Sequence, residues 1–92
     1  MTRLKVTQED IDNCIVSEQY HLFENTTLMV CALVLRNGFV VTGESACASA
    51  QEYDEGVGKS IAFQNAKNKI WALEGYLLKE ELNKSNAEDT LR

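Results

Sequence analysis

The 92-residue chain has little of what several function classes require. It holds one histidine, His21, and three cysteines, Cys14, Cys31 and Cys47, with no CxxC spacing. A structural zinc site groups four N or S ligands, so none is expected within a single chain. Lys and Arg number 9 against 14 Asp and Glu, a net charge of −5. General binding to DNA or RNA draws on a basic patch that neutralises phosphates. So few cations exclude DNA and RNA as expected partners, yet suffice for a small anionic ligand. No apolar run approaches the ~18 residues of a membrane span, so no membrane partner is expected. The opening "MTRLKVTQED" lacks the apolar core of a signal peptide. Reduced thiols in a cytoplasm are the simplest expectation, each a small buried hydrophobe by default. No cofactor and no metal are expected.

What is present reads as one globular domain over 1–92, with 45% hydrophobic and 25% charged residues. A domain this small buries only part of its surface and gains from oligomerisation. The polar end "NKSNAEDTLR" reads as a flexible tail over 83–92.

The fold class expected is α+β. "VTQEDIDNCIV" reads as a short N-terminal helix, capped by Thr7 with Asp10 three residues on. Ile11, Cys14 and Ile15 give it a narrow apolar stripe. "SEQYHLFENT" permits a short third strand ending in a turn at Glu24–Thr27. Leu28–Leu35 is apolar on both faces, as a central strand is. Asn37-Gly38 is a strong two-residue hairpin signal. A two-residue turn sets Val34 opposite Val41, Ala32 opposite Gly43 and Cys31 opposite Glu44. "CASAQEYDEGVG" connects onward, with a helical turn capped by Ser49.

A long C-terminal helix follows, from about Asp54 to about Leu82. Phe63, Ala66, Ile70, Leu73 and Leu77 step by three and four, which predicts one buried stripe. Trp71, Gly75, Leu78 and Leu82 form a second stripe beside it. One hairpin covers one stripe, so the second is assigned to an oligomer interface. Gly75 there lets a neighbouring backbone approach.

Two motifs suggest chemistry and fail on inspection. Gly58-Lys59-Ser60 ends like a phosphate-binding P-loop, but Tyr53 stands where its first glycine belongs. Glu52, Asp54 and Glu55 would repel a polyphosphate. A helix start with small, closely packed residues is the expectation instead. "GESAC" at 43–47 lacks the last glycine of a nucleophile elbow. A Cys–His pair would need His21. No enzyme activity is expected.

A ligand site makes better use of the remaining residues. Tyr20, His21 and Phe39 offer rings that stack on a base, and Phe23 adds another. Arg36 is a donor for phosphate or a base edge. Thr42 and Ser45 offer hydroxyls. One protomer supplies each of these once, whereas a symmetric oligomer supplies two sets. From the residues alone the simpler reading keeps Tyr20 and Phe39 in core or interface and leaves Arg36 in solvent.

The run "YHLFENTTLMVCALVLRNGFVVTGESACAS", with "AFQNAKNKIWALEGYLL", resembles a family of small tailed-phage proteins. The most telling pieces are Asn37-Gly38-Phe39, Gly43 to Cys47, and Lys69 to Tyr76. That family in turn resembles the phage anti-CBASS sponge proteins. The resemblance implies binding of cyclic oligonucleotide second messengers of bacterial CBASS immunity, held without cleavage so that the effector stays silent. It implies a homohexamer, with cyclic dinucleotides such as cyclic GMP-AMP at protomer interfaces and cyclic trinucleotides at separate sites. It implies a stacking aromatic, which here is Tyr20 or His21. It implies a cation near the hairpin, which here is Arg36 where a lysine is the rule. Lysine and arginine differ in geometry. The setting implied is the host cytoplasm. The contrasting expectation is a phage interaction protein with no small-molecule ligand. It would bind a host or phage protein through Trp71, Leu78 and Leu82.

Overall fold

The computed structural model describes residues 4–90, with side chains as far as residue 85. Helix α1 spans Gln8–Cys14 and starts as the sequence predicts. Thr7 Oγ1 accepts from Asp10 N at 3.2 Å, and Asp10 Oδ2 accepts from Thr7 N at 2.9 Å. This reciprocal pair satisfies two of the open donors at the helix start. Ile11 and Cys14 are its buried residues.

No loop separates α1 from strand β1, Ile15–Leu22. The third strand is therefore a full eight residues long. Strands β2, Leu28–Leu35, and β3, Val40–Ala46, complete an antiparallel sheet in the order β1-β2-β3. The β1–β2 turn bends through Asn25 at φ 63°. Thr26 Oγ1 closes it by donating to Phe23 O at 2.7 Å. A bulge at Val16, between the Ile15 and Ser17 pairings, leaves that side chain 66% exposed.

The β2–β3 hairpin corrects the predicted register. Leu35 N donates to Phe39 O, and Gly38 N donates to Leu35 O, both at 2.8 Å. The loop is thus three residues, Arg36-Asn37-Gly38. Gly38 takes the left-handed conformation at φ 89°, and Asn37 does not share it. A type I′ turn needs positive φ at both central residues, whereas a type I turn followed by one left-handed glycine needs it once. The Asn37 side chain also favours the longer loop, because its Oδ1 accepts from Phe39 N at 3.0 Å. Pairing shifts by one residue: Val34 faces Val40, Ala32 faces Thr42, and Cys31 faces Gly43. A one-residue slip exchanges the faces of one strand relative to the other. Val41 and Gly43 thereby join Cys31 and Leu33 on one side.

That side is covered by helix α2, Glu55–Thr90. A 3₁₀ turn over Ala50–Glu52 leads into it, without a side-chain cap from Ser49. Asp54 Oδ1 caps α2 by accepting from Val57 N at 3.0 Å. The chain has no proline, and no glycine follows Gly75, so nothing stops the helix near Leu82. Of the predicted 83–92 tail, residues 83–90 are helical and the last two lie outside the described residues. At ~1.5 Å per residue α2 is about 54 Å long. It sets the long dimension of the molecule, 64 Å against 22 and 18 Å.

The buried line of α2 is Gly58, Ala62, Ala66, Ile70, Glu74 and Leu78. This corrects the predicted stripe: Leu73 and Leu77 are 41% and 46% exposed, and Phe63 is half-buried. The cause is Gly43. A Cβ placed there would collide with Ala66 N and Ala62 O of the helix backbone. The helix therefore lies directly on β3, with its smallest residues downward. Asn65 Nδ2 fastens it by donating to Glu44 O at 2.8 Å. Ile11, Met29, Cys31, Leu33 and Ile70 are fully enclosed in the resulting core, and Trp71 packs against its margin.

Candidate functional site

Three elements converge at the hairpin tip. Arg36 N donates to Cys14 O at 2.9 Å, which ties the tip to the end of α1. The C-terminal half of α2 passes beside both. Between them lies a cleft of about 350 Å³. Arg36, Asn37 and Phe39 line it from the loop, and Leu73, Glu74 and Tyr76 from the helix. Phe39 and Tyr76 are 54% and 70% exposed. Glu74 is 7% exposed, and Cys14 Sγ donates to its Oε1 at 3.5 Å. The cleft thus offers an exposed guanidinium, two exposed rings and a buried carboxylate.

The other predicted ligand residues lie elsewhere. Tyr20 points to the helix side of the sheet, opposite Cys31. Lys59 Nζ stands 5.5 Å above its ring, a cation–π contact. Tyr20 Oη donates to Glu18 Oε1 at 3.4 Å. Its pKa is pushed up to about 12, first by burial and then by the negative charges of Cys31 and Glu18 in their ionised forms. Burial likewise pushes the Cys31 thiol up, which keeps it protonated and unreactive. His21 points to the opposite side of the sheet, opposite Val30, with Phe23 edge-on at 4.7 Å between ring centroids. Thr42 shares that open side. Ser45 lines a second cleft of about 260 Å³ with Cys47, Tyr53 and Gly58.

The six residues therefore do not form a single site within one protomer. Cys31, the partner of Tyr20, lies five residues along the chain from Arg36, or roughly 17 Å at ~3.3 Å each. Arg36 and Phe39 share the tip cleft, and Tyr20 does not reach it. His21 and Cys31 face opposite sides of the sheet, so that Cys–His pair does not form within a chain. Cys47 Sγ donates to Ser49 O at 3.1 Å instead.

The predicted interface residues also separate. Gly75 is exposed, with open space where a Cβ would be. Trp71 and Leu82 are half-buried. Leu78 is 8% exposed within its own chain, which removes it from the surface. Gly58 is buried against the Tyr53 ring, 3.3 Å from where its Cβ would stand, and the GKS segment is helical. Sequence reasoning overlooked Tyr76, Glu74 and Lys59. Tyr76 and Leu73 lie three apart on α2, the one signal that could have paired them as a face.

Among the described residues no group of three or more His, Cys, Asp or Glu is placed to hold a metal. No described helix is long and apolar enough to cross a membrane. Residues 6–82 match the model of the phage protein (N4 Gp49/phage Sf6 gene 66) family. That is most of the chain, and the protein belongs to this family. No curated protein and no solved structure matches it.

Proposed function

We infer that this phage protein sequesters cyclic oligonucleotide messengers, di- and trinucleotides, without cleaving them. It would act in the host cytoplasm as a homo-oligomer, a hexamer by the resemblance described above. The observation that carries the reading is the tip cleft. A guanidinium beside two exposed rings suits a phosphate next to a base, and the cleft volume lies at the small end of ligand sites. The separation of Tyr20 from Arg36 supports ligand capture between chains, each contributing a different part. Stacking on one ring contributes ~1–3 kcal/mol per base in single-strand binders.

Calorimetry with cyclic GMP-AMP tests this, followed by heat denaturation and chromatography of the released ligand. The expected result is tight binding and recovery of intact messenger. Arg36→Ala should weaken binding at least ~10-fold, the loss of a charged hydrogen bond. No heat with any cyclic di- or trinucleotide would sink the reading. A second reading has its own observation. Leu73, Tyr76 and Leu77 form an exposed apolar face on α2, which suits a host or phage protein. Under this reading the docking face includes these three residues and excludes the buried Leu78.

A further inference from the structure

The sheet has one covered side and one open side. On the open side β2 contributes Leu28, Val30, Ala32 and Val34, all half-buried although, among the described residues, no helix lies over them. Apolar residues run down the middle strand, and the flanking strands carry polar ones in the two central rows. Cross-strand rows follow from the register. His21, Val30 and Glu44 make one row, and Gln19, Ala32 and Thr42 make the next. Ser17, Val34 and Val40 form a third. Phe23, Leu28 and Ala46 form the fourth, through the Phe23 N to Leu28 O hydrogen bond of 3.0 Å.

These rows are complementary to themselves about one particular axis. Let a two-fold axis run parallel to β2 in the plane between two such faces. It leaves each β2 row over its own copy and exchanges β1 with β3. Apolar β2 then covers apolar β2. His21, an imidazole donor, lies over the Glu44 carboxylate of the second copy. The Gln19 amide lies over the Thr42 hydroxyl. The large Phe23 lies over the small Ala46, and the small Ser17 over Val40. An axis across the strands would instead lay β3 on β3 and lose the His21–Glu44 match.

We propose that two copies of this chain pair through the open faces of their sheets, β2 over β2, with His21 of each seated on Glu44 of the other. The surface is distinct from the tip cleft and from the outer face of α2, and it depends on no ligand. Aligned sheet packing of this kind places the two layers ~10 Å apart. Three strands and four rows make a face of roughly 14 by 24 Å. Two such faces hide on the order of 1,000 Å² once side-chain relief is counted, the size at which specific interfaces begin.

Sedimentation equilibrium of the full chain tests the pairing, with circular dichroism to confirm folding. The wild type should sediment as a dimer or an even multiple of the chain. Val30→Lys puts two ammonium groups on the axis and should halve that mass. His21→Glu alone and Glu44→Lys alone should each weaken association at least ~10-fold, as like or unmatched charges meet twice. The double variant restores opposite charges across the axis and should recover most of the association. Its two positions are exposed, so it tests the pairing even where Val30→Lys fails to fold. A wild type that stays monomeric overturns the proposal. So does a folded Val30→Lys of unchanged mass. Failure of the double variant to recover overturns the axis.

Discussion

Strand β2 presents nearly the same kind of side chain to its two sides. Met29, Cys31, Leu33 and Leu35 face α2 and are buried, while Leu28, Val30, Ala32 and Val34 face outward and are half-buried. Hydrophobicity does not separate these two sets. What separates them lies on other elements, namely Gly43 of β3 and the Ala62–Ala66 step of α2. The absence of one Cβ lets a helix descend onto one side. The open side carries Thr42 and Glu44 in the same strand instead. Burial in this fold is thus decided by the smallest residues more than by the largest.

The strongest way to break the contrast is Gly43→Val. The new side chain meets helix backbone, which cannot turn aside as a side chain can. Urea unfolding should show a loss of about 3 kcal/mol or more. Leu33→Ala removes a fully enclosed side chain and should cost roughly 2–5 kcal/mol. Val34→Thr on the other side of the same strand should cost under about 1 kcal/mol, measured at chain concentrations low enough to keep the sheets unpaired. Equal losses in those two would mean that the two sides are not different after all.

Tyr20 sharpens the comparison by spectroscopy. Its folded pKa, pushed up to about 12, lies above the ~10 of an unfolded tyrosine. The stability that this shift reflects is complete below pH ~10 and is lost as pH rises through the folded value. Absorbance of phenolate should therefore lag behind a denatured control, and Tyr20→Phe should flatten the alkaline loss. The smallest effect is expected where α1 meets α2. Lys67 Nζ lies 2.7 Å from Asp12 Oδ1, and that hydrogen bond holds the Asp12 carboxyl below its ordinary range. Its contribution is present above the unfolded pKa and is lost as pH falls through the lowered one. Asp12→Asn should remove that acid dependence, and ~1 M salt should mask most of it.

Much of the fold is legible locally. The Thr7 cap, the apolar β2 run and the long C-terminal helix each rest on neighbours in sequence. The hairpin register was not, because Asn37-Gly38 fits two loop lengths and the choice between them turns on the conformation of Asn37 alone. The facing of α2 was not legible either. Ala66 and Ile70 were selected correctly, but steps of three and four extend from them to Phe63, Leu73 and Leu77 as readily as to Ala62, Glu74 and Leu78, and only contact with Gly43 distinguishes the two lines. At the candidate site, Arg36 and Phe39 were legible as neighbours of the turn. Glu74 and Tyr76 join them from 35 or more positions away, a meeting that no local pattern encodes.

The order of elements along the chain also bears on synthesis. All three strands are complete by Ala46, while Ala62, Ala66 and Ile70 follow 16 to 24 residues later. At ~5–20 residues per second, those further residues take about one to five seconds to be added. The strands also emerge first, by the same interval, and until the helix follows, Met29, Leu33 and Leu35 have nothing to cover them. A ribosome that stalls between the third strand and the second helix would release a fragment with both sides of its sheet bare, and such a fragment would be prone to aggregate.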